Sequence, residues 1–399
     1  MRELPRLACI TEVPPVNLSA GPAVLYRLLK PYPADRLLLC LDQAEPRWPG
    51  RELEGVERAG LHFGWRRLQR SRFGRWHGTL VLLFQSVFLT GPLVRRLRAF
   101  RAEAVLTVAH GTVWWPAWLA ARRLGLPFHL IVHDHWRDSY DAHRWTGGFA
   151  EKRFAAVYRG ATSRLLVSET MARKYQSRYG AAPATLLYPS QLASAELHGA
   201  PPERPAADRP FVIAYAGGMD GQWAKDAVVA LAHAVAPLGA RVRVYQTISL
   251  DSLRAADLRT DNVEIQTFLP ALELHRHLRQ AVDALYLPMS FTASDRRNME
   301  VCFPSKLVDY TMPGLPILVR APAYSSIAHW LAGRPGTALA VETEDAAALC
   351  EAVRSLMTDA ALWQRLGCAA LAAGRECFSV ERVFGTFTAT LHAANPVAA

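Results

Sequence analysis

Short apolar runs alternate along this chain with segments whose apolar positions recur at helical spacing. That rhythm predicts βα units feeding parallel sheets. In the first half the strand-like runs are RLACI (6–10), RLLLCL (36–41), AVLTVA (104–109), FHLIVH (128–133), RLLVS (164–168) and TLLY (185–188). The rhythm lapses at ELHGAPPERPAADRP (196–210), which is proline-rich and poor in apolar residues and reads as a linker. It resumes with FVIAYAGG (211–218), RVRVYQ (241–246), VEIQT (263–267), ALYLP (284–288), PILV (316–319) and ALAV (338–341). Two doubly wound, Rossmann-like α/β halves are therefore expected, at 1–197 and 198–378. Beyond them, residues 379–399 form a last helix: Ser379 is its N-cap, and Val380, Val383, Phe384 and Phe387 line one face. That helix is expected to pack back on the first half.

Composition narrows the class. A chain of 399 residues exceeds what one core usually supports, and an apolar content of 51% excludes a disordered or fibrous protein. The six cysteines, at 9, 40, 302, 350, 368 and 377, show no Cys-x-x-Cys spacing, so neither a zinc site nor a disulfide framework is expected. The start, MRELPRLACITEVPP, lacks the apolar core of a secretory signal, and a cytoplasmic location is expected. The longest apolar stretch, TLVLLFQSVFL (79–89), is about half of what spans a bilayer.

Charge is uneven. Residues 1–200 carry 28 Lys and Arg against 15 Asp and Glu, whereas residues 201–399 carry 18 against 20. The excess is densest in GWRRLQRSRFGRWHG (64–78), where Arg66, Arg67, Arg70, Arg72 and Arg75 interleave with Trp65, Phe73 and Trp76. Such a patch suits an anionic membrane surface or the acceptor, with a solvated basic face as the plainer reading. No nucleic-acid motif accompanies it, and nucleic acid is not expected as a partner.

In open parallel sheets ligands bind beyond the carboxyl ends of the strands, so the natural site in a two-sheet protein is the cleft between them. Neither Gly-x-Gly-x-x-Gly nor the phosphate-binding P-loop spacing occurs; AGGMDG (216–221), containing Gly218, is a glycine turn after a strand. Two helix starts stand out. Gly21 precedes Pro22 in LSAGPAVLYRLL, and Pro304 precedes Ser305 and Lys306 in FPSKLVDYTMPGLPIL. Proline at the first helical position would turn the amides of Ala23 and Val24, and of Ser305 and Lys306, toward an anion. The chain has 41 arginines and five lysines, and residues 201–399 hold only Lys225 and Lys306. A compact ammonium suits a phosphate oxygen in a tight site, so a diphosphate is the candidate ligand. Leu307, Val308, Thr311 and Met312 are expected to pack, leaving Lys306, Asp309 and Tyr310 on the other side, with Asp309 placed to accept ribose hydroxyls. His133 closes a buried strand where a histidine can hydrogen-bond substrate or share a proton; His110 is given a supporting role. A metal cluster of His110, His133, Asp134 and His135 is not expected, because alternate strand residues diverge.

Together with PPVNLSAGP, VAHG, VHDHW, ATSRLLVSETMARKYQSRYG (161–180), YAGGM and QTFLPALELHRHLRQAVDALYLP (266–288), these segments resemble the family 4 retaining glycosyltransferases of GT-B fold. The resemblance implies an acceptor-side first domain and a nucleotide-sugar-binding second domain. It implies that Gly21 meets the donor phosphate, that His133 contacts the transferred sugar, and that Lys306 is the lysine of PSK-containing members. Lys225 approximates the basic residue after the glycine turn, where the usual arginine is replaced by Met219. Asp309 stands in place of the glutamate that holds the ribose. The partner of that glutamate, eight residues earlier, is Val301 here, with Glu300 one residue out of register. The implied reaction moves a hexose from a nucleotide-diphosphate sugar to an acceptor hydroxyl with retention, without cofactor or metal. The setting would be cell-surface polysaccharide or glycolipid assembly, with a saccharide or lipid-linked acceptor, on the inner face of the cytoplasmic membrane. Two alternatives stay open: a sugar-nucleotide epimerase of the same fold, and a catalytically silent sugar-nucleotide or membrane-binding partner.

Overall fold

The structure, a computed structural model, describes residues 3–18, 20–61, 71–180, 184–193, 196, 198–204, 208–219, 222–245, 261–267 and 269–394. It divides into two compact units, Met1–Pro189 with Val301–Phe303 and Val383–Ala399, and Ser190–Glu300 with Pro304–Arg382.

The first unit runs β1 (Leu7–Ile10), α1 (Ala20–Leu29), β2 (Leu37–Leu41), β3 (Glu57–Gly60), α2 (Gly74–Phe100), β4 (Ala104–Val108), α3 (Trp114–Leu124), β5 (Phe128–Val132), α4 (Gly147–Gly160), β6 (Ser163–Leu166), α5 (Glu169–Tyr179) and β7 (Thr185–Leu186). These strands form one parallel sheet in the order β3-β2-β1-β4-β5-β6-β7. The inner strands read as unbroken apolar runs because helices cover both faces; every residue of β1, β2, β4 and β5 is buried. β3 was not expected. It is an edge strand of sequence ERAG in which only Ala59 is buried, so it gives no apolar run.

The second unit runs β8 (Val212–Ala216), α6 (Gln222–Val235), β9 (Arg241–Tyr245), β10 (Val263–Gln266), α7 (Ala271–Ala281), β11 (Ala284–Pro288), α8 (Arg296–Met299), α9 (Ser305–Tyr310), β12 (Ile317–Arg320), α10 (Ser326–Ala332), β13 (Leu339–Val341), α11 (Ala346–Thr358) and α12 (Ala360–Ala373). Its sheet is parallel in the order β10-β9-β8-β11-β12-β13. Strand order reverses between β1 and β4 in one sheet and between β8 and β11 in the other. The loops after those strands are the topological switch points of each unit, where open α/β sheets generally bind ligands.

A closing helix, α13 (Val380–Ala394), contributes Val383, Phe387 and Leu391 to the core around β1, β2 and β4. Its start is capped by Ser379, whose Oγ accepts from Arg382 N at 3.3 Å. The expected linker is a correction. The second unit begins at Ser190, and the described residues of 196–210 lie against it. Arg204 donates to the carbonyl oxygens of Leu356 (3.2 Å) and Met357 at the end of α11, and Arg209 forks onto Asp283 at 2.8 and 2.9 Å. Guanidinium groups that satisfy a helix end and a buried carboxylate hold this proline-rich segment in place.

His129 sits fully buried inside β5, its Nδ1 at 2.8 Å from Ser163 Oγ, and burial pulls its pKa down to about 4. Above pH 6.5 the residue is neutral in folded and unfolded chains, so its full contribution is present there. As pH falls from 6.5 toward 4 the unfolded state takes up the proton first and stability is lost, by on the order of 3 kcal/mol from this group. Urea midpoints between pH 7 and 4 check this: His129→Gln should flatten the decline, and an unchanged slope would contradict it.

Candidate functional site

The second unit brings two predicted groups together at its switch point. Tyr215, fully buried in β8, points its hydroxyl beyond the strand, where it donates to Gly218 O at 2.7 Å. The Tyr215 hydroxyl oxygen in turn accepts from Lys306 Nζ at 2.7 Å. Lys306 is the second residue of α9, and its stem crosses directly over the backbone after β8: a Cβ added at Gly217 would collide with Lys306 Cε. Gly217 has φ +152°, so the position suits glycine on conformational as well as steric grounds. The lysine predicted as phosphate-binding thus meets the turn that contains predicted Gly218. Tyr215 and Gly217, which fix its path, were missed. The legible signals were a lone hydroxyl in an apolar strand, which needs a partner when buried, and the first glycine of the pair.

The helix face is a correction. Tyr310 is buried rather than sharing a side with Lys306 and Asp309. Its hydroxyl accepts from Ala216 N at 2.8 Å and donates to Ala216 O at 3.2 Å, and burial raises its pKa. With six residues α9 is too short for a helical stripe to decide its packing, and pairing with the last backbone groups of β8 turns Tyr310 inward. Pro304 is the N-cap, with φ −69° and ψ 107°, rather than the first helical residue. Leu307 N makes the first turn's bond to Pro304 O at 3.0 Å, and the amides of Ser305 and Lys306 precede it.

Asp309 is partly exposed, its Oδ1 3.9 Å from His275 Nε2. Val301 is 2% exposed, and its carbonyl accepts from Ser168 Oγ at 2.6 Å. Glu300 closes α8, and its Oε1 accepts from Arg296 Nε at 3.0 Å. Lys225 is half-buried in the first turn of α6 after the glycine turn, Met219 is buried, and Asp220 and Gly221 lie outside the described residues.

In the first unit His133 follows β5 and His110 follows β4, each half-buried. Burial lowers both imidazole pKa values; Asp134 opposes that shift at both, and His110 adds to it at His133. A neutral imidazole at the end of a buried strand can donate one hydrogen bond and accept another. Among the described residues no cluster of three or more His, Cys, Asp and Glu could hold a metal ion.

The first helix start also needs correction. α1 begins at Ala20, so Gly21 and Pro22 are its second and third residues rather than its N-cap and first residue, and the amide of Val24 lies at the i+4 position from Ala20. Beyond β1, Glu12 caps α3 instead, accepting from Thr112 N at 2.6 Å and Val113 N at 2.9 Å. Burial, the largest cause, raises the pKa of its carboxyl even though these bonds oppose it.

Of the basic patch, Arg66, Arg67 and Arg70 lie outside the described residues; Arg72, Arg75 and Trp76 are exposed at the start of α2. The apolar run at 79–89 lies within α2. α2 runs 27 residues through Pro92, and it is the one helix among the described residues long and apolar enough to cross a membrane.

Residues 25–189 match the family described as the glycosyl transferase 4-like domain. No curated protein matches the chain significantly. Among solved structures, the fold is similar to that of HepE from Anabaena, solved with UDP and glucose (13% identity, TM-score 0.66, covering 97% of this chain and 99% of that one). It is also similar to sucrose-phosphate synthase from Thermosynechococcus elongatus (15%, TM-score 0.65, 97% and 99%). A third is WaaG, a glycosyltransferase involved in lipopolysaccharide biosynthesis (14%, TM-score 0.60, 98% and 98%). The two parallel sheets are those of the GT-B architecture.

Proposed function

We propose that this chain is a retaining glycosyltransferase that moves a hexose from a UDP-sugar to an acceptor hydroxyl, a reading supported by the match of residues 25–189 to the glycosyl transferase 4-like domain and by the GT-B fold. The observation that carries this reading is the Lys306 amine held at the β8 switch point by Tyr215. A nucleotide sugar already has a good leaving group, so the protein's task is to stabilise charge growing on the departing diphosphate and to hold the acceptor in line. Lys306 places a fixed ammonium against the β-phosphate, with the amides of Ser305 and Lys306 beside it. Lys225 adds charge from the start of α6, and Asp309 accepts from the ribose. The amines supply the neutralisation, which makes the reaction metal-independent. His133 contacts the transferred sugar as a neutral imidazole. The acceptor is a saccharide on a lipid carrier at the cytoplasmic face of a membrane, in surface polysaccharide or glycolipid assembly. UDP-bound HepE supports the choice of base.

The test combines donor turnover against a panel of lipid-linked acceptors with NMR assignment of the product anomer. A retained anomeric configuration is expected; inversion would overturn the mechanism, and conversion of donor without acceptor would favour an epimerase. His133→Ala should lower transfer on the order of 100-fold while UDP affinity stays close to wild type. An affinity loss as large as the rate loss would remove His133 from the sugar.

A further inference from the structure

The longest helix of the first unit has two unlike faces. Thr79, Leu82, Gln85, Leu89, Thr90, Leu93, Leu97 and Phe100 are buried, so α2 lies along the unit. Its other face exposes Trp76 (55%), Leu80 (54%), Phe84 (52%), Val87 (72%) and Phe88 (71%). From Trp76 to Phe88 this apolar stripe is about 18 Å long.

The stripe continues onto the start of α4. The Trp76 ring meets His143 at 4.3 Å, His143 N donates to Thr79 Oγ1 at 2.9 Å, and Arg153 donates to Leu82 O at 2.6 Å while lying over the Phe149 ring. Trp145 (65% exposed) and Phe149 (38%) extend the surface there. With Phe73, five aromatic side chains are at least half exposed. At about 150–250 Å² each, they alone present roughly 400 Å² or more, before Leu80 and Val87 are added.

Charge indicates what covers this face. No Asp, Glu, Lys, Arg or His occurs between Gly78 and Val94, while Arg72, Arg75 and Arg144 lie at one end and Arg95, Arg96 and Arg98 at the other, all exposed. Asp141, 3.4 Å from Arg75, and Glu57, 3.9 Å from Arg96, offset part of that charge. An uncharged aromatic stripe with arginines at both ends matches a bilayer interface, where rings enter the acyl boundary and guanidinium groups remain among anionic headgroups. We infer that α2, with the start of α4, is an in-plane docking surface for an anionic membrane. The inference extends the lipid-linked acceptor reading by naming the surface involved, and it needs neither donor nor transfer to be tested.

The experiment is flotation of the full chain with vesicles of phosphatidylcholine alone or with 30% phosphatidylglycerol. Wild type should float with the anionic vesicles, less so at high salt. Phe84→Glu/Phe88→Glu should lower the partition coefficient at least tenfold, and the milder Val87→Ser/Phe88→Ser should lower it too if the first variant folds poorly. Failure of wild type to float, equal floating of the folded variants, or binding indifferent to lipid charge would overturn the inference. So would a wild-type dimer in sedimentation velocity that these substitutions dissociate, since the stripe would then be covered by a second copy. A UDP-induced thermal shift on the same samples keeps the two readings apart: a failed donor reading removes that shift and leaves flotation intact.

Discussion

Lys306→Ala should lower turnover on the order of 100-fold or more, the scale of losing one preorganised charge-stabilising donor. The amine is set in place before any ligand arrives: Tyr215 accepts from it at 2.7 Å, and the Tyr215 hydroxyl is itself committed to Gly218 O. In the proposed mechanism, removing the ammonium leaves the departing diphosphate facing a phenol that carries no charge. Lys306→Arg should not rescue, because the stem lies against Gly217 and a planar fork needs more room than a single amine. Steady-state turnover with labelled donor checks both variants; wild-type-like rates in Lys306→Ala would remove the residue from the mechanism.

Gly217→Val should cost a comparable factor in turnover without replacing any group proposed to contact substrate, by displacing Lys306. The added Cβ falls on Lys306 Cε, and its backbone torsion is one that side-chain-bearing residues rarely adopt. Either Lys306 swings away from Tyr215 or the turn after β8 shifts. Overpacking of this kind typically costs about 1–3 kcal/mol of stability, so the urea midpoint should fall modestly while activity collapses. Full turnover in Gly217→Val would show that the path of the lysine stem does not matter.

Most of the sheet was legible in the sequence because strands buried on both faces are written as apolar runs. VIAYA in β8 and LACI in β1 are fully buried, as their composition requires. β3 escaped because an edge strand needs only one buried side chain, Ala59. The segment at 196–210 was read as a linker because proline content reports backbone stiffness and not the arginines that tie it down. Within the site, Lys306 stood out by rarity and position. The inward turn of Tyr310 did not, since it depends on hydrogen bonds to Ala216, 94 residues away in the chain. The exposed face of α2 was hidden for a similar reason: an apolar stretch reads the same whether a core or a bilayer covers it, and only the fold shows which residues remain outside.

The most direct measurement compares the stabilisation given by UDP with that given by UMP, in wild type and in Lys306→Ala. A ligand at 100 times its dissociation constant adds about 2.7 kcal/mol, and the UDP-over-UMP difference isolates the second phosphate. That difference should be clear in wild type and largely abolished in Lys306→Ala. The same UDP-over-UMP increment in both proteins would contradict a diphosphate site built on this lysine.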